Sequence, residues 1–132
     1  MTKDPEAAAR GLLAELEERL AGKDLDQITD LFAEEVVLIG DEGENFDRAS
    51  TVAYLGLMAE MAPTVRWSWD RVAVVWSSPE VLSFAGAGTI WFDDAAGQRM
   101  GEPGPFRVTC VAVDDGDRWR WRHFHGSRPA TD

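Results

Sequence analysis

Cysteine occurs once in the 132 residues, tyrosine once and histidine twice. A lone Cys110 rules out a disulfide within the chain and suits a reducing compartment. Its neighbours, Val108 to Val113, spell an apolar strand, where a thiol is buried and inert rather than nucleophilic. No stretch approaches the ~18 apolar residues that a membrane span needs, and Met1 to Glu6 contains no apolar core of a secretion signal. Positive charge is scarce: 13 Lys+Arg stand against 24 Asp+Glu, a net charge of -11. That balance repels phosphate backbones and anionic bilayers, so neither nucleic acid nor membrane is an expected partner. A Gly-rich phosphate loop, a Ser-His-Asp order and a Cys-His pair are absent too, which leaves nucleophilic catalysis without support. A soluble, cytoplasmic protein is the expectation.

What is present is unevenly distributed. Residues 1–64 hold 5 Lys+Arg against 15 Asp+Glu, whereas residues 65–132 hold 8 against 9. The acidic half reads as helical. Asp4-Pro5-Glu6 is an N-cap with proline in the first turn; Leu12, Leu13, Leu16 and Leu20 follow at helical spacing, and Gly22 is expected to end the helix. Asp24 and Gln27 form a capping box for a second helix carrying Leu25, Ile28, Leu31 and Phe32 and closed by Glu34-Glu35. Val36 to Ile39 reads as a short strand ending at Gly40, Asp41 to Asp47 as an acidic loop, and Arg48 to about Met61 as a third helix before Pro63.

From Val65 the period becomes two. Val65, Trp67 and Trp69 alternate on odd positions and Val72, Val74 and Trp76 on even ones, so a β-bulge is predicted near Asp70-Arg71. A strand from Val81 to Phe92 sets Leu82, Phe84, Ile90 and Phe92 against a narrow side of Ser83, Ala85, Ala87 and Thr89. Asp93 to Pro105 reads as a loop and Phe106 to Asp114 as a strand. Asp115-Gly116-Asp117 then turns into the last strand, Arg118 to Ser127. The predicted order is α-α-β-α-β-β-β-β, a single α+β domain spanning 1–132 with an ordered core of about 6–127. Three helices packed on a strongly bent antiparallel sheet would bury these faces.

The last strand holds both histidines, two of the six tryptophans and three arginines. Strict alternation puts Trp119, Trp121, His123 and His125 on one face and Arg118, Arg120, Arg122 and Phe124 on the other. His123 and His125 could converge on one ligand. A metal usually takes three or four protein donors, and with no third histidine or second cysteine no metal site and no cofactor is expected. The plain alternative is a pair of histidines satisfied inside a packed sheet. Tryptophans on strands usually serve core or interface. Asp70 at the predicted bulge could act as a base, although such an aspartate is more often structural.

The element order, the junction Leu31-Phe32-Ala33-Glu34-Glu35-Val36-Val37-Leu38-Ile39-Gly40, the Arg107-x-Thr109 strand and the ending Trp119-x-x-x-His123-Phe124-His125-x-Ser127 resemble the SnoaL-like branch of the nuclear transport factor 2-like superfamily. The same ending is similar to the calcium/calmodulin-dependent protein kinase association domain of that superfamily. The resemblance implies a conical α+β fold, a pocket between helices and sheet, and a homodimer formed through the sheet. It places Arg107 and Thr109 near the pocket, with Arg107 meeting a carboxylate of a ligand or of Glu44. Ketosteroid isomerases of this superfamily use a carboxylate base with a tyrosine and a protonated aspartic acid; here Tyr54 stands alone on the third helix, which argues against that mechanism.

The leading expectation is therefore a pocket for a small polar or anionic organic ligand, with His123, Arg107, Thr109, Tyr54, Trp121 and Glu44 near it. Two alternatives stand beside it. One is a pocket enzyme of isomerase, cyclase or hydrolase type using His125 or Asp70; the other is a non-catalytic oligomerisation module.

Overall fold

The computed structural model describes residues 4–41, 43–60 and 63–129. Helix α1, Pro5–Gly22, starts where the sequence says it should: the Asp4 carboxylate accepts from the Ala7 N–H at 3.2 Å. Its inner stripe, Ala9, Leu12, Leu13, Leu16 and Leu20, is buried. The expected stop at Gly22 falls one residue later. Gly22 is the last helical residue, and Lys23 takes the left-handed turn with φ 57°. Helix α2, Leu25–Thr29, is capped by Asp24, which accepts from the Gln27 N–H at 3.3 Å.

That second helix is much shorter than its periodicity suggested. Leu31 and Phe32 are captured by the sheet instead: the Trp121 N–H donates to the Leu31 carbonyl at 2.8 Å, and Phe32 pairs with Trp121. Strand β1 accordingly runs Phe32–Gly40 and includes Glu34-Glu35. The acidic loop contains a further strand, β2, Gly43–Asn45, folded back on β1 with Asn45 opposite Leu38. The Asn45 side chain donates to the Leu38 carbonyl at 3.2 Å. Asp47 caps helix α3, Arg48–Glu60, accepting from the Ser50 N–H at 2.8 Å; the predicted end at Met61 lies outside the described residues.

Four strands follow: β3, Thr64–Ser77; β4, Val81–Asp93; β5, Arg99–Asp114; and β6, Trp119–Ser127. The predicted loop from Asp93 to Pro105 is largely strand. The chain needs only a tight turn, in which Asp94 accepts from the Ala96 and Gln98 N–H groups at 2.9 Å each and Gly97 supplies a φ of 82°. The sheet order is β2-β1-β6-β5-β4-β3. Every pairing is antiparallel except β1 with β6, which is parallel. The sheet is thus mixed, not antiparallel throughout, and the domain is three helices on one six-stranded mixed sheet, an α+β architecture.

The bulge predicted beside Asp70 is present as a register shift between Trp69 and Arg71, and a second lies between Val74 and Trp76. Between these kinks the inner face stays continuous. Val65, Trp67 and Val72 of β3, Leu82, Phe84 and Ile90 of β4, Phe106, Val108, Cys110 and Ala112 of β5, and Trp121 and Phe124 of β6 are all buried. At Gly88 this packing leaves no room for a side chain, because a Cβ there would sit 1.9 Å from the Ser68 carbonyl oxygen.

Candidate functional site

The inner face is an aromatic cluster. Trp67 stacks on Phe106 at 6.4 Å between ring centres and on Phe124 at 6.1 Å. Trp121 meets Phe84 at 6.0 Å and Phe124 edge-on at 5.6 Å. The Trp67 indole N–H donates to the Leu13 carbonyl of α1 at 3.1 Å, which ties the helix layer to the sheet. The indole N–H groups of Trp69 and Trp121 are buried and meet no acceptor among the described residues. Among the described residues the buried polar side chains are Asn45 on β2 and Thr51 on α3. Both are neutral, and neither is a base. The Cys110 thiol is buried, and burial pushes its pKa up, so the thiolate needed for nucleophilic work is disfavoured.

Strict alternation fails in β6, and the failure relocates the predicted site. Between Val111 and Ala112 of β5 the β6 register slips: Val111 pairs with His123 but Ala112 pairs with Trp121, leaving Arg122 as an extra residue. Trp121 therefore faces inward, while His123 and His125 face outward. The imidazoles and Trp121 do not share a face. Position by position, the outer face of the sheet carries Val37 and Ile39 on β1, His123 and His125 on β6, Val111, Thr109 and Arg107 on β5, Ser83, Ala85 and Ala87 on β4, and Trp76, Ala73 and Arg71 on β3.

On this face His123 and His125 lie side by side, 6.3 Å between ring centres with planes at 72°. Burial draws the His123 pKa below its ordinary value; a backbone hydrogen bond to Val37 opposes that, and the nearby His125 and Arg122 add to it. Thr109 stands opposite His125, so these two are brought together. Arg107 is exposed on β5 between Ala87 and Ser127. Glu44 is exposed on β2, separated from Arg107 by both β1 and β6, so the two do not form the pair the resemblance suggested. Asp70 is exposed at the β3 edge with β4 and β5 between it and His125. Tyr54 sits half-buried on α3 against Gly43 of β2, on the helix side. The candidates thus divide among three places: Trp121 inside, Tyr54 beneath α3, and the remainder on the outer surface.

The three arginines of the last strand have structural partners. Arg118 pairs with Glu15 of α1. Arg120 pairs with Asp30 at 3.2 Å, Asp115 at 2.5 Å and Asp117 at 3.2 Å. Arg122 donates to the Glu35 carbonyl. Arg48 does similar work from α3, donating to the Phe32, Ala33 and Thr29 carbonyls at 2.7, 3.1 and 3.3 Å. A surface depression lined by Arg48, Arg120, Arg122, Glu34 and Glu35 lies among these groups. Its guanidinium groups already serve carbonyls and carboxylates, so it does not read as an anion site.

The architecture is that of the nuclear transport factor 2-like class. A protein from Xanthomonas campestris assigned as a calcium/calmodulin-dependent protein kinase II association domain superposes with a TM-score of 0.78 at 17% identity, over 94% of this chain and 87% of that one. One from Streptomyces avermitilis assigned as a dehydratase of the nuclear transport factor 2-like family gives 0.78 at 12%, over 96% of each. One from Novosphingobium aromaticivorans assigned as a scytalone dehydratase gives 0.75 at 9%, over 96% and 85%. At such identities these likenesses establish the fold alone. The SnoaL-like domain model matches residues 10–131, and the chain belongs to that family. No curated protein matches it. Among the described residues no helix is long and apolar enough to cross a membrane.

Proposed function

We propose that this SnoaL-like domain works as a non-catalytic association module, pairing with a second copy through the outer face of its sheet. The observation that carries the reading is the character of that face. Its middle presents Val37, Ile39, Val111, Thr109 and the small Ser83, Ala85 and Ala87 around His123 and His125, with Arg107 and Arg71 to one side and Trp76, 62% exposed, to the other. An uncovered sheet face normally alternates to charged and polar residues. A surface with small and β-branched residues invites close approach by another flat surface. Charge agrees, because the β-rich half is nearly balanced while the helical half is strongly acidic. Two copies meeting sheet to sheet keep their acidic helices apart. The relative assigned as an association domain has the same fold.

Acid–base chemistry finds less support. The core is lined by aliphatic side chains with Trp67, Trp121, Phe84, Phe106 and Phe124 among them, and the buried polar side chains among the described residues are an amide and a hydroxyl. His125 and Asp70 stand strands apart. A second reading, binding of a small organic molecule against the inner aromatic cluster, is favoured by the Trp69 and Trp121 indole donors. An unpaired buried donor costs about 1–3 kcal/mol, and a carbonyl or carboxylate oxygen of a ligand would satisfy it.

Sedimentation equilibrium tests the association. The expected mass is twice the 14.6 kDa of one chain. Ala85→Glu, placing like charges face to face, should weaken the dimer by about 100-fold or more without changing the circular dichroism spectrum. A wild-type chain that stays monomeric, or a variant that dimerises as well as wild type, overturns the reading.

A further inference from the structure

Histidine is the side chain whose ordinary pKa, about 6.5, lets it change charge near neutrality. The chain has two, and both stand on the outer face of β6, with ring centres 6.3 Å apart. His123 is half-buried and His125 exposed. Their cross-strand neighbours carry no charge: Val37 and Val111 flank His123, while Ile39 and Thr109 flank His125. One strand further out lie Ser83 and Ala85 of β4 on one side and Glu44 of β2, opposite Ile39, on the other.

The charged groups closer to the pair are cationic or already engaged. Arg107 stands beside Ser127, two residues along β5 from Thr109. Arg122 precedes His123 and pairs with Glu35 of β1 at 3.7 Å. Asp41, two residues beyond Ile39, pairs with Arg128 at 3.4 Å. Among the described residues neither imidazole is in an ion pair with a carboxylate, so a proton gained by either ring adds to a positive neighbourhood. Burial already draws the His123 pKa down, with the nearby His125 and Arg122 adding to it against the Val37 backbone hydrogen bond. Covering the face with a second chain strips the remaining water from the rings and acts in the same direction.

We propose that His123 and His125 make the sheet-to-sheet association pH-dependent: two chains hold together while the imidazoles are neutral and separate as they take up protons. This dependence rests on the dimer reading above and adds its regulation. It holds wherever the two-fold axis falls, because a partner that covers Val37 and Val111 also covers His123 between them, and one that covers Ile39 and Thr109 covers His125. A charge buried there without a counter-ion is costly. Protons therefore bind the separated chains more tightly than the dimer. Association is unaffected well above the ordinary imidazole range and weakens as the pH falls through it.

Sedimentation of the full-length chain at about pH 7.5 and about pH 5.5, at constant ionic strength, tests the dependence; ordinary carboxylates, near 4, stay ionised across that window. With two imidazoles from each chain, the dimer dissociation constant should rise at least ~100-fold on acidification. In the double variant His123→Gln/His125→Gln it should agree within about threefold at the two pH values. Nuclear magnetic resonance supplies a readout that needs no variant. The pH at which His123 is half-protonated should fall when the protein concentration is raised from far below to far above the dimer dissociation constant. A wild-type dissociation constant that stays level or falls on acidification overturns the proposal. So does a full pH dependence persisting in the double variant, or a His123 titration indifferent to concentration. The two readings fail separately. A chain that dimerises equally well at both pH values removes the pH dependence and leaves the dimer; one that is monomeric at both removes both.

Discussion

Arg120 holds three carboxylates with one guanidinium, and its partners come from opposite ends of the chain: Asp115 and Asp117 from the hairpin beside it, and Asp30 from the end of α2. The Arg120 side-chain hydrogen bond, helped by the Asp117 and Arg118 N–H groups, holds the Asp115 carboxyl down to about 2. The same contact raises the Arg120 pKa. A depressed folded value stabilises the fold above the unfolded carboxyl pKa, near 3.9, and that contribution disappears as the pH falls through the folded value. Carbon-detected titration of Asp115 should therefore inflect near 2, and in Arg120→Ala it should return toward about 3.9. An unchanged inflection in the variant would show that the arginine is not the cause. None of this pairing is visible from the Arg118-Trp119-Arg120-Trp121-Arg122 run itself, which reads as a basic aromatic stripe. The partners Glu15, Asp30 and Glu35 lie 103, 90 and 87 residues away, and spacing carries no information at that range.

At the scale of elements, β3 is the outer strand of the sheet, and it is fourteen residues long. Long bare edges invite pairing with other chains. Here α1 covers the edge with side chains: Glu17 accepts from the Trp67 N–H at 2.9 Å, and Arg10 donates to the Trp69 carbonyl at 3.1 Å. Glu17 also pairs with Arg66 at 3.3 Å. Glu17→Ala should lower stability to urea by about 1–3 kcal/mol, since it strands a partly buried donor. Glu17→Gln, which keeps an acceptor, should lose less than half as much. Equal losses would mean that the backbone contact contributes little. Bulges decided what could be read at this scale. The Val65-Trp67-Trp69 to Val72-Val74 parity change reports its bulge directly, because apolar residues flank it on both sides. The slip at Arg122 leaves no such mark: Trp121 and His123 are compatible with either face, so strict alternation joined side chains that the structure separates. Strand β2 escaped notice for a related reason, since Gly43-Glu44-Asn45 has no apolar alternation and owes its pairing to β1. The caps, by contrast, were legible because Asp4, Asp24 and their targets are local.

For the whole molecule, the uneven charge predicts how association should respond to salt. Pairing through the nearly neutral sheet leaves the acidic halves distant, and screening beyond a Debye length changes little. The dimer dissociation constant should accordingly shift less than about tenfold between ~50 mM and ~500 mM sodium chloride. Pairing through the helical side would instead oppose two strongly acidic surfaces and tighten far more steeply with salt. A steep dependence, measured by sedimentation at a series of salt concentrations, would move the interface to that side.

The parallel pairing of β1 with β6 has a consequence for biosynthesis. Strand β6 follows β1, β3, β4 and β5 in the chain, so the facing edges of β1 and β5 stay unpaired until it forms. During that interval the chain presents two open strand edges to other chains. A separate peptide spanning residues 119–127 should therefore re-insert between β1 and β5 as the missing strand when the chain is cut ahead of Trp119.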